Sequence, residues 1–504
     1  MFYHFPLSAL VILAAACASQ PGPVAPAPLA EPQTITLTGT VTRDDFPSYL
    51  ELPFTVPPGV ERLTLSYDYE HKGDGVTLDL GLRDPDGLRG WSGSNKTDVM
   101  LSAWGATPSY RPGPIVPGEW TLILGVPNVR EGRSSTYTAT ITLEPDLSGE
   151  AALAAASLRI NAGSPGWLRG DFHAHTGHSD GGCALPGQLR APCPTMASLG
   201  AAADAQLDFI AITEHNTLSH LYDLVALQPT TDIILIPGAE ITTFEGHANV
   251  FGIVAPLDFQ LGTTRLPGTD DLIDEVARRG ALLSLNHPAL PTGESCMGCG
   301  WSADTDFSRV EAIEVVNGSL VHRNAEEGAM SGIPFWEALL DKGHRITAIA
   351  GSDNHDPIDR AMSQPPIGNA ATQVFVSERS TRGIVNGVRS GRAVVDLTGS
   401  PGSALDLVFE EDGRAIIMGG ELSLADGQTA TGVLNVRGIA DGRIEAVASG
   451  AEVTLETDGP LADEAAILVT VVGAGGSGWF RFNVRDSESG RLLLLGNPIY
   501  VVSN

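Results

Sequence analysis

In Asp171-Phe-His173-Ala-His175 two imidazoles stand one residue apart. On an extended strand such residues share a face, so the pair can chelate one ion. Ten of the twelve histidines fall between Asp171 and His355. They come in bursts with carboxylates: Ser179-Asp180-Gly in a Gly-rich turn, Glu214-His215, Glu240 with His247, Asn286-His287-Pro, and Asp353-Asn-His355. Imidazole and carboxylate are the donors of catalytic transition-metal sites, with zinc the first choice and iron or manganese also suited. The bursts therefore predict a multinuclear centre of divalent ions. Its candidate ligands are His173, His175, Asp180, His215, Glu240, His247, His287, Asp353 and His355. Glu240 is the candidate bridge.

Several other side chains could serve such a centre. Arg323, beside His322 after Asn317-Gly-Ser, could clamp an anionic substrate. His178, His220 and His322 are candidate proton donors to a leaving group. Trp301, Phe307, Phe335 and Trp336 could wall an apolar pocket, although core packing also explains them. Cys183, Cys193, Cys296 and Cys299 allow three disulfide pairings, of which the local one is simplest. The rival is a four-thiolate zinc site that uses Cys296-Met-Gly-Cys299. Either way the cysteines follow ligand bursts and would pin active-site loops.

The elements that must position these residues are short apolar strands ending in a charge. They are expected over 207–213, 233–237, 247–254, 281–285, 312–316 and 347–350, with helices over 269–279, 334–342 and 381–390. Strand–helix alternation predicts an α/β barrel or parallel sheet, whose sites gather at the strands' C-terminal ends. Residues 34–146 alternate apolar and polar between Gly, Pro and Asp clusters, which predicts a β-sandwich, and residues 399–504 return to the same pattern. Residues 147–166 form a linker, leaving 167–398 for the metal-binding domain.

A formal net charge of −30 argues against nucleic acid as a partner, because phosphate binding needs clustered Lys and Arg. Residues 1–17 fit a signal peptide with a lipoprotein-like Cys17, and the Pro/Ala-rich stretch 18–33 fits a tether. Export to the cell envelope or periplasm, with a lipid anchor on Cys17 as the membrane contact, is the corresponding expectation. Oligomeric state is not legible.

Taken in order, His-x-His, Ser-Asp-Gly, Glu-His, Glu, His, His-Pro and Asp-x-His resemble the PHP (polymerase and histidinol phosphatase) superfamily over about 190 residues. Glu314-Val-Val-Asn-Gly and Gly351-Ser-Asp-Asn-His resemble its exported carbaryl-hydrolase-like (CehA/McbA) branch. The resemblance implies a distorted (β/α)7 barrel between the two β-sandwiches. It implies one ion on His173, His175, Glu240 and Asp353, a second on Glu240, His247 and His287, and a third on Asp180, His215 and His355. Glu214 stands where that family often has Asp, which implies a supporting role. The related amidohydrolases often bridge their ions through a lysine, but Lys342, the one lysine of this domain, falls on an expected helix.

The implied activity is hydrolysis by a metal-activated hydroxide. Phosphoesters are the first substrate class, with carbamates or aryl carboxylic esters as the alternative. Glu240, Asp353 and Arg323 are the expected catalytic residues. A non-catalytic metal-containing binding protein of the envelope is the reading outside enzymology.

Overall fold

The sheet that carries the histidines consists of β1 (Gly166–Asp171), β2 (Phe209–His215), β3 (Ile234–Thr242), β4 (His247–Phe251), β5 (Leu282–Leu285), β6 (Ala312–Asn317), β7 (Thr347–Gly351), β8 (Ala371–Val376) and β9 (Ala393–Asp396). Each is short and almost wholly buried, as expected of Val/Ile/Ala-rich strands covered on both faces. This computed structural model describes residues 29–102, 106–145, 165–185, 189–294, 296–359, 363–457 and 459–503. The expected signal peptide, most of the tether and most of the 147–166 linker lie outside the described residues. Among the described residues, no helix is long and apolar enough to cross a membrane.

The strand order is β7-β6-β5-β4-β3-β2-β1-β8-β9. The pairs β1/β2, β2/β3, β5/β6 and β6/β7 are parallel, whereas β3/β4 and β4/β5 are antiparallel. The sheet curls until the segments after β1 and β7 meet: Ala174 and Asn354 form a parallel bridge, and the Asp353 amide donates to the His173 carbonyl at 2.7 Å. Gly351 permits this approach, since a Cβ there would lie 2.4 Å from the His173 Cβ. The domain is α/β, but the regular strand–helix repeat expected of it is broken. Only Thr243 to Gly246 separate β3 from β4, too few residues for a helix, so the pair forms a hairpin.

The helices are α1 (Thr195–Asp204), α2 (Leu221–Leu227), α3 (Thr269–Arg278), α4 (Gly318–His322), α5 (Ile333–Asp341) and α6 (Thr381–Arg389). Three of them, α3, α5 and α6, fall where the periodicity places them. The Ser380 hydroxyl caps α6 by accepting from the Gly383 amide at 2.9 Å. Trp336, offered above as a pocket wall, is fully buried in the core and donates its indole N–H to the Ile346 carbonyl at 2.8 Å.

Two four-stranded sheets form the N-terminal sandwich. One orders strands Gln33–Thr42, Ser134–Pro145, Val60–Tyr69 and Asp98–Ser102; the other orders Tyr49–Val56, Gly118–Val129, Val76–Asp84 and Gly87–Gly93. The outer face of the second sheet lies on the central domain, where Trp91, Leu88 and Ile123 join its core. The C-terminal β region is not a separate block. Strand Leu492–Gly496 pairs with β9, so the central sheet runs on into it. The buried Asn497 side chain accepts from the Ala348 amide at 2.7 Å and donates to its carbonyl at 2.9 Å, extending β7 like a short strand.

Candidate metal centre

His173, His175, Asp180, His215, Glu240, His247, His287, Asp353 and His355 converge at the ends of these strands. Asp171, closing β1, accepts backbone N–H bonds from His173 (3.0 Å), Ser352 (2.9 Å) and Gly368 (2.8 Å), which locks the turn carrying His173 and His175 to the turn after β7. His287 (φ 30°) and Asp353 (φ 55°) sit in the left-handed region that side chains avoid. Strain of this kind persists where the surroundings fix a functional geometry.

Glu240 is the centre of the cluster and is 1% exposed. Its Oε1 lies 3.3 Å from His247 Nδ1 and 3.4 Å from both His173 Nε2 and His287 Nε2. Its Oε2 lies 2.8 Å from His215 Nδ1 and 3.5 Å from His175 Nε2. His173 Nε2 and His175 Nε2 are 3.1 Å apart, and Asp353 Oδ1 is 3.4 Å from the first and 3.1 Å from the second. On the other side, Asp180 Oδ2 stands 3.3 Å from His355 Nε2 and 3.6 Å from His215 Nε2. Donor atoms of His175, Asp180, His215 and His355 all lie within 4.8 Å of one another, as do those of His173, His175 and Glu240. The three implied ligand sets are thus each brought together, with His175 touching two of them.

Hydrogen bonds outside the cluster decide which ring nitrogens face inward. Glu314 Oε2 accepts from His173 Nδ1 at 2.6 Å, the Met297 carbonyl from His247 Nε2 at 3.0 Å, and the Asp353 carbonyl from His355 Nδ1 at 2.9 Å. When each of these rings is neutral, its inward nitrogen presents a lone pair. Asn286 donates to Glu240 Oε1 at 2.8 Å, and Asn317 to Glu314 Oε1 at 2.8 Å and to Asp353 Oδ2 at 3.2 Å. Glu214 accepts from the Thr176 amide at 2.8 Å and from the Thr176 and Ser179 hydroxyls, so it organises the loop that bears Asp180.

The electrostatics match a cation cradle. Burial lowers the affinity of His173 and His215 for protons, yet the surrounding carboxylates outweigh it and hold both well above the ordinary range. Burial raises Glu240 and Asp353, but the ring of imidazoles drives both well below the ordinary carboxylate range. His175, buried beside His355 and His215, is pushed down to about 4. Imidazole nitrogens and ionised carboxylates facing one another in this cluster make a donor set that fits divalent ions.

The cysteines form the local pairs Cys183–Cys193 and Cys296–Cys299. Both brace ligand loops, as expected. Cys193 exchanges backbone hydrogen bonds with Gly177 and Gly181 (2.7 and 3.0 Å) around Asp180, and Met297 lies inside the Cys296–Cys299 loop. Arg323 is not brought to the cluster. It follows α4, is exposed, and makes no hydrogen bond or ion pair with the nine ligands among the described residues. His322 is exposed as well. His178 is held by Ser219 Oγ (2.7 Å) and Asp223 Oδ2 (3.1 Å), and burial pushes His220 down to about 3, which keeps it neutral.

Two other contributors carry no local sequence signal. Asn95 and Lys96 of the sandwich donate to the Ser179 carbonyl at 3.0 and 3.3 Å, fastening the Asp180 loop from outside. Glu314 is the plainest omission: a carboxylate inside an apolar strand is itself a signal that it has a buried partner.

Neither a family model nor a curated protein matches the sequence. Solved structures similar to it include the following three. A two-domain protein from Bacteroides vulgatus, assigned a PHP-like metal-dependent phosphoesterase, is 20% identical with a TM-score of 0.37, over 70% of this chain and 100% of that one. A protein from Bifidobacterium adolescentis assigned as a metal-dependent phosphoesterase is 14% identical, with a TM-score of 0.26 over 37% and 87% of the two chains. An amidohydrolase from Chromobacterium violaceum, with bound sulfate and no metal, is 18% identical, with a TM-score of 0.25 over 37% and 88%.

Proposed function

We propose that this chain is a PHP-type metal-dependent hydrolase that cleaves ester bonds, phosphoesters first among them, in the cell envelope. The observation that carries the reading is Glu240, whose two oxygens lie within 3.5 Å of nitrogens from five imidazoles. A structural carboxylate needs one or two donors; this one is placed to be shared between ions. His173, His175, Glu240 and Asp353 would hold one ion, Glu240, His247 and His287 a second, and Asp180, His215 and His355 a third. Zinc suits this donor set best, with iron and manganese as alternatives. Bound divalent ions supply Lewis acidity and a hydroxide nucleophile near neutral pH.

The protein's own part is preorganisation. Glu314, Met297 and Asp353 fix the inward faces of His173, His247 and His355, and the two disulfide loops hold Asp180 and His247 in place. The disulfides also support export, because such bonds persist in oxidising compartments. The anchor on Cys17 completes the proposed location.

The test is a panel with metal-loaded protein: a chromogenic phosphomonoester, phosphodiester, aryl carboxylic ester and aryl carbamate. Turnover of phosphoesters that is lost in His173→Ala and Glu240→Gln is the expected result. Preference for the carbamate would move the chain to the carbaryl-hydrolase-like branch. Fewer than two tightly bound ions per chain by elemental analysis, with no turnover, would leave a non-catalytic binding protein.

A further inference from the structure

One sulfur of the Cys296–Cys299 disulfide belongs to the metal cluster by position. Cys299 is fully buried, and its Sγ and one ring nitrogen each of His247 and His287 all lie within 4.8 Å of one another. These are two of the imidazoles that Glu240 Oε1 approaches, at 3.3 and 3.4 Å. Among the described residues the other disulfide has no such company, since Cys183 and Cys193 gather only with the carboxylate of Asp356. A loop staple needs no imidazoles at its sulfur. One sulfur and two imidazoles at this spacing are instead the donor types of a Cys/His zinc site.

While it is bonded to Cys296, the Cys299 sulfur carries no charge, and metals take the thiolate. Contacts that do not pass through the disulfide hold Cys299 in place from both sides. Gly298 packs against the turn after β3, where a Cβ on it would lie 2.1 Å from the Thr243 carbonyl oxygen. The Met297 carbonyl accepts from His247 Nε2 at 3.0 Å, and the Trp301 amide donates to the Pro288 carbonyl at 3.0 Å. Opening the disulfide therefore leaves the Cys299 backbone beside the two imidazoles. Cys296 is the more exposed of the pair, so its sulfur is the one a reductant reaches.

We propose that Cys299 is a redox-controlled metal ligand: reduction frees its thiolate to join His247, His287 and Glu240, and this fourth donor closes a position that hydrolysis needs open. Four protein ligands make a closed, structural site, whereas catalytic sites keep one position free. A dithiol supplies the two electrons and two protons. The S–S bond breaks, Cys296 and Cys299 become thiols, and the dithiol becomes its own disulfide. Cys299 then releases its proton to solvent as it binds. An oxidising compartment keeps the sulfurs bonded and the position open.

Ligation stands on the cluster geometry; its effect on turnover rests on the hydrolase reading. The test uses full-length protein loaded with cobalt(II), on which a thiolate ligand gives a sulfur-to-metal charge-transfer band. The reductant is a phosphine, which with water yields two thiols and phosphine oxide and brings no sulfur of its own. The band should be missing from the oxidised wild type, appear on phosphine treatment, and stand without reductant in Cys296→Ser. Cys296→Ser/Cys299→Ala, which lacks the disulfide equally, should show no band even with phosphine. An outer partner of a ligand is worth about 10–100-fold in affinity, so Cys296→Ser should hold metal at least about tenfold more tightly than that double variant. Its zinc form should turn over ester at least about tenfold more slowly than the double variant. Bound cobalt without the band in Cys296→Ser and in treated wild type overturns the proposal, as does a band that survives in the double variant. A band with undiminished turnover overturns the closing of the reactive position. If the hydrolase reading alone is wrong, the band still follows Cys299 while no ester is cleaved in either state.

Discussion

Glu314→Gln is the sharpest probe of the metal centre, because it changes one proton and little volume. In the wild type, Glu314 Oε2 accepts from His173 Nδ1 at 2.6 Å while Oε1 accepts from Asn317 Nδ2 at 2.8 Å. Both partners donate, so the carboxylate satisfies both. An amide cannot. If its oxygen stays with Asn317, its NH2 faces His173 Nδ1, which must then give up its proton. The proton moves to Nε2 and blocks the inward lone pair. If the amide flips, its NH2 opposes the Asn317 NH2 in a site where Glu314 is 2% exposed. Loss of such a supporting partner lowers metal affinity by about 10–100-fold, or roughly 1.4–2.7 kcal/mol. Titration against a competing chelator, followed by elemental analysis, should show that loss, with hydrolysis at limiting metal falling in parallel. Glu314→Gln/Asn317→Ala frees the amide to turn its oxygen to His173 and should recover much of the affinity. Wild-type affinity in the single variant, or no recovery in the double, would refute the proton-placement argument.

Three further outcomes are expected. Chelation should lower the melting temperature, and added zinc should restore it in a concentration-dependent way, since ions held only by the folded state stabilise it by mass action; a melting point indifferent to chelator would contradict the cradle. Arg169 is buried, donates to Asp396 at 2.8 Å and also serves the Gly368 and Ala205 carbonyls, so Arg169→Met should cost about 3–5 kcal/mol in urea unfolding. Asp79→Asn should stabilise the chelated protein at pH 8 but not at pH 4. A carboxyl raised from 3.8 to about 7 costs nothing below pH 4 and its full penalty above pH 7, at most about 4 kcal/mol and less given its partial exposure. Equal stability of the two proteins at pH 8 would sink that reading.

The strand ends were legible because an apolar run closing in a charge is a local signal. Phe209-Ile-Ala-Ile-Thr before Glu214-His215 and Ile234-Leu-Ile-Pro before Glu240 announce both the strand and what it delivers. The apolar strand around Glu314 marks a buried carboxylate but not its partner, because His173 is 141 residues away. Lys96 is invisible for the same reason: only the docking of the sandwich on the central domain brings it to the Ser179 carbonyl. Arg323 stands beside His322 after Asn317-Gly-Ser, which suggests a clamp, but the short helix α4 ends by leaving it exposed to solvent. The boundary near residue 398 followed a change in pattern, whereas the pairing of β9 with Leu492–Gly496 depends on register that no local pattern encodes.

That pairing bears on the order of events during synthesis. Asn497, which completes the hydrogen bonding of Ala348 on the strand leading to Asp353, is made 149 residues after it. Until the ribosome reaches that point, β7 and β9 lack these outer partners. This edge of the central sheet is thus completed only when residues 492–497 emerge, which makes it a late step in the maturation of the nascent chain.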